Sequence, residues 1–131
     1  MSLLILYVVT AVIFLALDAL MLTFVMSPLF SRHIPDLLSP QLRLAPAAAF
    51  YLAYVAGLVA VVSLPALRTG SAIIVPAAII GAMAYGTYEF TNYATLKGWH
   101  PAMVATDLIW GTVLTAFSAW AGVAITRAVT A

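Results

Sequence analysis

A chain of 131 residues with 66% hydrophobic and only 7% charged positions cannot keep an ordinary water-facing surface, which needs about 25% charged residues. The mean hydropathy of +1.16 places it among integral membrane proteins, and its length fits one domain. A net charge of +1 with no basic patch excludes a nucleic-acid partner, and the absence of cysteine excludes disulfides, thiolate metal sites and thiol nucleophiles together.

A helix that crosses a bilayer needs roughly 20 apolar residues and must satisfy its backbone groups internally. The first such stretch runs from Leu3 to Met26 and is expected to end before Pro28. It is too long for a signal peptide, lacks a basic amino-terminal region and contains Asp18. A loop from about Ser27 to Leu44 follows, with Arg32, His33, Asp36 and Arg43. The second span, Ala45 to Ala66, opens with Pro46 in its first turn, where a missing N–H costs nothing, and is expected to close at Pro65. The third, Ser71 to Thr95, follows the Arg68–Gly70 turn, and the fourth, Ala102 to Thr126, has His100 and Pro101 at its entrance. The expectation is an all-α integral membrane protein, a four-transmembrane-helix up-down bundle forming a single domain over residues 1–131 with spans near 3–26, 45–66, 71–95 and 102–126. Arg32, Arg43 and Lys97 on one side against Arg68 and Arg127 on the other do not orient it.

Asp18, Glu89 and Asp107 fall inside these spans, and of the carboxylates only Asp36 lies in a loop. A charge at the bilayer centre costs about 2.5–3.5 kcal/mol on insertion scales, so each marks a functional-site hypothesis. Threaded up and down, the chain sets them about 8, 6 and 5 residues from the helix ends on the long-loop side, or roughly 12, 9 and 8 Å deep. That is one layer shared by separate helices. On the third helix Gly81, Tyr85, Tyr88, Glu89 and Asn92 form one stripe; on the fourth Asp107, Trp110, Gly111, Leu114 and Ser118 share a face. Tyr51 and Tyr54 lie in the upper half of the second helix, and Lys97, Trp99 and His100 sit just above the layer. The lower half is aliphatic, with Ala82, Gly86, Ala119 and Gly122 expected to allow close helix contact.

These positions predict a polar, aromatic-lined cavity near one membrane face. Its expected ligand- or proton-binding residues are Asp18, Glu89, Asp107, Asn92, Tyr85, Tyr88, Tyr54, Trp110 and Lys97. Carboxylates gathered in low dielectric cannot all stay ionised, so they should exchange protons as one coupled group. The bland alternative is that the acids only hydrogen-bond between helices. Such bonds average about 0.6 kcal/mol in a membrane, a poor return when Asn or Ser would serve.

The run YEFTNYATLKGW (Tyr88 to Trp99), followed by DLIWGT (Asp107 to Thr112), resembles DUF2177, a family of small bacterial membrane proteins of unknown function. LDALML around Asp18 and FYLAYVAGL after Ala49 are similar to that family too, so the resemblance covers essentially the whole chain. Its most specific part is Thr91–Asn92 with Lys97–Gly98–Trp99. Members usually carry Asp in place of Glu89, and often Trp near Met21. The resemblance implies a four-helix membrane protein in the bacterial inner membrane whose acids, Asn92, Lys97 and Trp110 belong to a recurring motif. It supplies no activity.

No nucleophile arrangement accompanies His33 or His100, and both histidines fall in loops, which nearly excludes an intramembrane bis-histidine haem. Phosphate loops, dinucleotide fingerprints and zinc-protease motifs are absent. An enzyme is therefore not the expected reading, and the cofactor is unknown. Asp18, Glu89, Asp107 and His100 are candidate metal ligands by type but lack diagnostic spacing. The intramembrane acids layered with Tyr and Trp point instead to binding or passage of a small cationic or amphipathic ligand, or of protons. The alternative is an accessory or structural subunit of a larger membrane complex. The lipid bilayer is the first partner, with a homodimer or other membrane subunits as the expected protein contacts.

Overall fold

The structure is a computed structural model that describes residues 1–41 and 43–131; Leu42, within the expected Ser27–Leu44 loop, lies outside the described residues. Among the described residues it is all-α, with helices α1 (Ser2–His33), α2 (Leu44–Thr69), α3 (Ile74–Thr95) and α4 (Pro101–Thr130). A short 3-10 turn, Pro35–Leu37, follows α1. By length and composition α1, α2 and α4 are apolar enough to cross a membrane. The 22-residue α3 is about 33 Å long, but its upper half carries Thr87, Glu89, Thr91, Asn92 and Thr95 and it is not among them.

The helix ends depart from the expected ones for a shared reason. Proline removes the backbone bond to residue i−4 and its ring pushes against that carbonyl, so Pro28 and Pro65 read as stops. Both helices instead continue through their prolines. Just before Pro28 the turn Leu22–Met26 is wound as a π-turn, with the Ser27 N–H donating to the Leu22 carbonyl. Just before Pro65 the turn Val59–Ser63 does the same, with Leu64 donating to Val59. The wider turn makes room for the ring and keeps the backbone bonded, where a break in lipid would leave polar groups unsatisfied. α2 ends at Gly70, whose φ of +74° is left-handed and whose N–H donates to the Ala66 carbonyl. At 32 residues α1 is about 48 Å long against a hydrocarbon core of about 30 Å, so its last turn, with Arg32 and His33, emerges from the core.

Side-chain pairings fix the topology. Tyr54 meets Thr115, and Arg127 donates to the Ala66 carbonyl at 2.7 Å; both pairs are 61 residues apart, so α2 and α4 run parallel. Thr10 abuts Gly122 while Asp18 meets Trp110, so α1 and α4 run antiparallel. α4 packs against each of the other helices and forms the axis of the bundle. The lower core joins Leu6, Phe14, Val55, Val59, Leu114 and Val123. A second cluster, Leu58, Val62, Ala77 and Ala119, closes the seam with α3. The closest α3–α4 approach runs through Gly81 and Gly111, because a Cβ on Gly81 would stand 2.5 Å from the Gly111 carbonyl oxygen. Of the small residues named from the sequence, Gly122 and Ala119 lie in tight contacts, whereas Gly86 meets only the Leu108 side chain. At the top, Leu29 and Phe30 of α1 and Ile34, just past its end, pack on Trp99, Met103 and Val104.

Candidate functional site

The α3–α4 seam sets the site. Gly81 lies against Thr115 and Tyr85 against Gly111, an antiparallel register in which each turn up α3 is a turn back along α4. The next turn places Glu89 opposite Asp107. Glu89 is fully buried (0% exposed), and Trp99 Nε1 donates to its Oε1 at 3.0 Å. Trp99 is held there by Phe30 and Tyr88, at ring separations of 5.5 and 5.9 Å. The turn before it requires Gly98: its φ is +80°, and a Cβ would press on the His33 carbonyl oxygen at 3.1 Å. His100 closes the turn, its Nδ1 accepting from the Ala102 N–H at 3.0 Å as the cap of α4, while its ring stacks on His33 at 4.1 Å.

Asp18 sits about one turn deeper. Trp110, three residues or about 4.5 Å along α4 from Asp107, donates its Nε1 to Asp18 Oδ1 at 3.0 Å. The acids therefore occupy two adjoining levels, Glu89 with Asp107 above and Asp18 with Trp110 below. Asp18 is 4% exposed, yet its Oδ2, like Glu89 Oε2 and the Tyr85 hydroxyl, has no hydrogen-bond partner among the described residues. A buried polar atom left unpaired costs about 1–3 kcal/mol, so these atoms are unlike ordinary packing contacts.

Asp18 and Asp107 open into one cavity of about 400 Å³. α1 lines it with Leu22, Met26 and Phe30, α2 with Ala47, Phe50 and Tyr51, and α3 with Ala84, Tyr85 and Tyr88. The π-turn of α1 thus forms part of one wall, which is where such turns often serve function. About one turn along α1 below Asp18, Phe14 packs on Tyr51 and Tyr54 at 5.7 and 5.6 Å, so that an aromatic cluster continues beneath the cavity as its floor. To the side, Leu22, Phe50 and Tyr88 are exposed on the outer face, as is the whole start of α2 from Leu44 to Phe50, so the mouth opens laterally. The lining is mostly apolar and aromatic with a few convergent polar groups, the usual make-up of a small-molecule site.

Of the residues named from the sequence, Asp18, Asp107, Tyr85 and Tyr88 line the cavity; Glu89 and Trp110 hold the layer behind it. Tyr54 does not reach it, because its hydroxyl is paired with Thr115 Oγ1 at 2.9 Å beneath the floor. Asn92 is half-buried one turn above Tyr88, and Lys97 is exposed in the α3–α4 turn; neither lines the cavity. The candidate metal ligands Asp18, Glu89, Asp107 and His100 are not gathered: among the described residues no group of three or more such side chains stands close enough to hold an ion. His100 is occupied as a helix cap. The sequence puts the Tyr51 and Tyr54 hydroxyls within reach of the acids, and Tyr51 lines the cavity. Sequence reasoning missed Phe30 and Phe50, and it places Trp99 above the layer without its bond to Glu89. The signal for that bond was the tight Lys97–Gly98 turn, which folds Trp99 back toward the end of α3.

Apolar helices long enough to span a bilayer, packed around buried carboxylates, define a helical integral membrane protein. The family model described as "Predicted membrane protein (DUF2177)" matches residues 3–124, and the chain belongs to that family. No curated protein and no solved structure matches it.

Proposed function

We propose that this protein, seated in a bacterial inner membrane, binds a small amphipathic cation in the lateral cavity, with Asp18 and Asp107 as its counter-charges. The observation that carries the reading is that both carboxylates open into one aromatic-walled cavity between helices long and apolar enough to cross a membrane. A carboxylate in low dielectric seeks a positive partner, and the faces of Phe30, Phe50, Tyr51 and Tyr88 attract a cation by about 0.5–2 kcal/mol per ring. A mouth on the lipid side suits a ligand that arrives dissolved in the bilayer. The aromatic floor and the packed core beneath it support binding from one side over a continuous pore.

The test uses tetraphenylphosphonium, a lipophilic cation, with the purified protein in lipid nanodiscs and empty nanodiscs as reference. Saturable binding above lipid partitioning is expected, weakened by about 10- to 100-fold in Asp18→Asn or Asp107→Asn, as loss of a charged contact worth about 1.5–3 kcal/mol implies. Ala84→Leu, which fills the cavity without touching a charge, should weaken it as well. Binding no greater than that of empty nanodiscs, or unchanged in both amide variants, refutes the reading.

A further inference from the structure

Glu89 does not line the cavity and is completely buried, so a cation in the cavity meets Asp107 and not Glu89. One oxygen of Glu89 accepts from Trp99, and the other has no hydrogen-bond partner among the described residues. The α3–α4 register brings Asp107 to face it from the opposite helix. The remaining titratable groups around the pair add no positive charge: Asp18 from α1, Tyr51 from α2, and Tyr85 and Tyr88 from α3. Lys97 is exposed in the turn above, and His33 and His100 stack on one another outside the lining. Two ionised carboxylates facing each other in such a site repel, whereas one proton held between them removes the conflict.

We propose that Glu89 and Asp107 form a proton-exchange pair, in which a cation entering the cavity takes the place of the proton the two carboxyls share. This rests on the cavity being a cation site. The exchange balances: Asp107 as carboxylic acid beside Glu89 carboxylate becomes Asp107 carboxylate paired with the cation, and the proton leaves to water. No covalent bond to carbon changes and no electron moves. The buried charge is the same before and after, which is why the two ligands exclude each other. Glu89 acts as a positioning residue, holding the proton on Asp107 until the cation arrives.

The experiment measures tetraphenylphosphonium binding in nanodiscs over about pH 5.5 to 8.5, with proton release read by calorimetry in buffers of different ionisation enthalpy. Wild type is expected to release about one proton per cation bound, and its apparent Kd to fall about tenfold per pH unit where the pair holds the proton. Glu89→Gln should still bind, while proton release and the pH slope both vanish, because the amide donates to an already ionised Asp107. Glu89→Asp keeps a carboxyl and should keep proton release, so wild type and this variant decide the matter even if Glu89→Gln fails to fold. Binding without proton release in wild type, or undiminished release in Glu89→Gln, overturns the exchange and leaves the cation site standing. Absence of any saturable binding overturns both.

Discussion

Gly81 is the position at which the α3–α4 seam can be tested most directly. An alanine Cβ there would lie 2.5 Å from the Gly111 carbonyl oxygen, 2.8 Å from Thr115 Oγ1 and 2.9 Å from Thr115 Cβ. Reaching an ordinary contact of about 3.4 Å from the carbonyl means opening the seam by about 0.9 Å. That oxygen belongs to the backbone of a helix packed on all its neighbours, so it cannot swing aside as a flexible side chain would. Overpacking of this kind costs about 1–3 kcal/mol, against up to about 1 kcal/mol gained from the better helix propensity of alanine. The net expectation for Gly81→Ala is a loss of about 1–2 kcal/mol.

Gly57 supplies the control. It lies within α2 with nothing within 4 Å of an added Cβ, so Gly57→Ala should be neutral or stabilise by about 0.4–1 kcal/mol. Reversible unfolding of both variants by dodecyl sulfate in mixed micelles, followed by circular dichroism, measures the difference, expected at about 2 kcal/mol. If Gly81→Ala proves as stable as Gly57→Ala, the helices do not meet at Gly81. The register that sets Glu89 opposite Asp107 would then fall with it.

Trp110→Phe keeps most of the apolar ring but removes the donor to Asp18 Oδ1, leaving that carboxyl with neither oxygen bonded; a loss of about 1.5–3 kcal/mol is expected in the same unfolding assay. The Asp18→Ala change, which removes the acceptor, and Trp110→Phe should be non-additive in combination, and additivity within about 0.5 kcal/mol would refute the pairing. At the membrane surface, desolvation first, then His100 and Arg32, hold the His33 imidazole below its ordinary value of 6.5. The folded state thus binds fewer protons than the unfolded one, so this contribution is complete above pH 6.5 and is lost as pH falls through the depressed value. Unfolding followed by Trp fluorescence should show stability falling on acidification below that point, with the trend flattened in His33→Gln; an unaltered trend in the variant refutes the role of the stacked pair.

Three of the helices were legible because apolar length in a bilayer leaves few alternatives, and α3 because the Arg68–Gly70 turn and Pro101 bound it. Residue counts convert into depth, but the single layer of acids they gave divides into two levels, because Asp18 pairs with Trp110 one turn from Asp107. What could not be read were the places where tertiary context overrides a local signal. Pro28 and Pro65 carry the local mark of a helix end, but a π-turn before each ring costs less than unbonded backbone in lipid. Tyr51 and Tyr54 are three residues apart on one face of α2, and only the 61-residue offset between α2 and α4 decides that Tyr54 pairs with Thr115 while Tyr51 reaches the cavity. His100 looks like a spare ligand until the Gly98 turn is in place, after which it is the cap of α4.

The arrangement also bears on why carboxylates stand here in place of amides. Trp110 and Trp99 are pure donors, and the amide oxygen of Asn or Gln would accept from an indole N–H as readily as Asp18 or Glu89 does. The helix contacts at Gly81, Gly111 and Gly122 do not involve the acids, so the seams close without them. Packing and hydrogen bonding alone would therefore be served at lower cost by neutral side chains, with no ionisable oxygen left unpaired at Asp18 and Glu89. What a carboxyl offers that an amide lacks is a charge that a proton can switch off. A cavity that opens to the side, is lined by Asp107 and has Phe14, Tyr51 and Tyr54 packed together at its lower end suits the proposed site that trades one positive ligand for another.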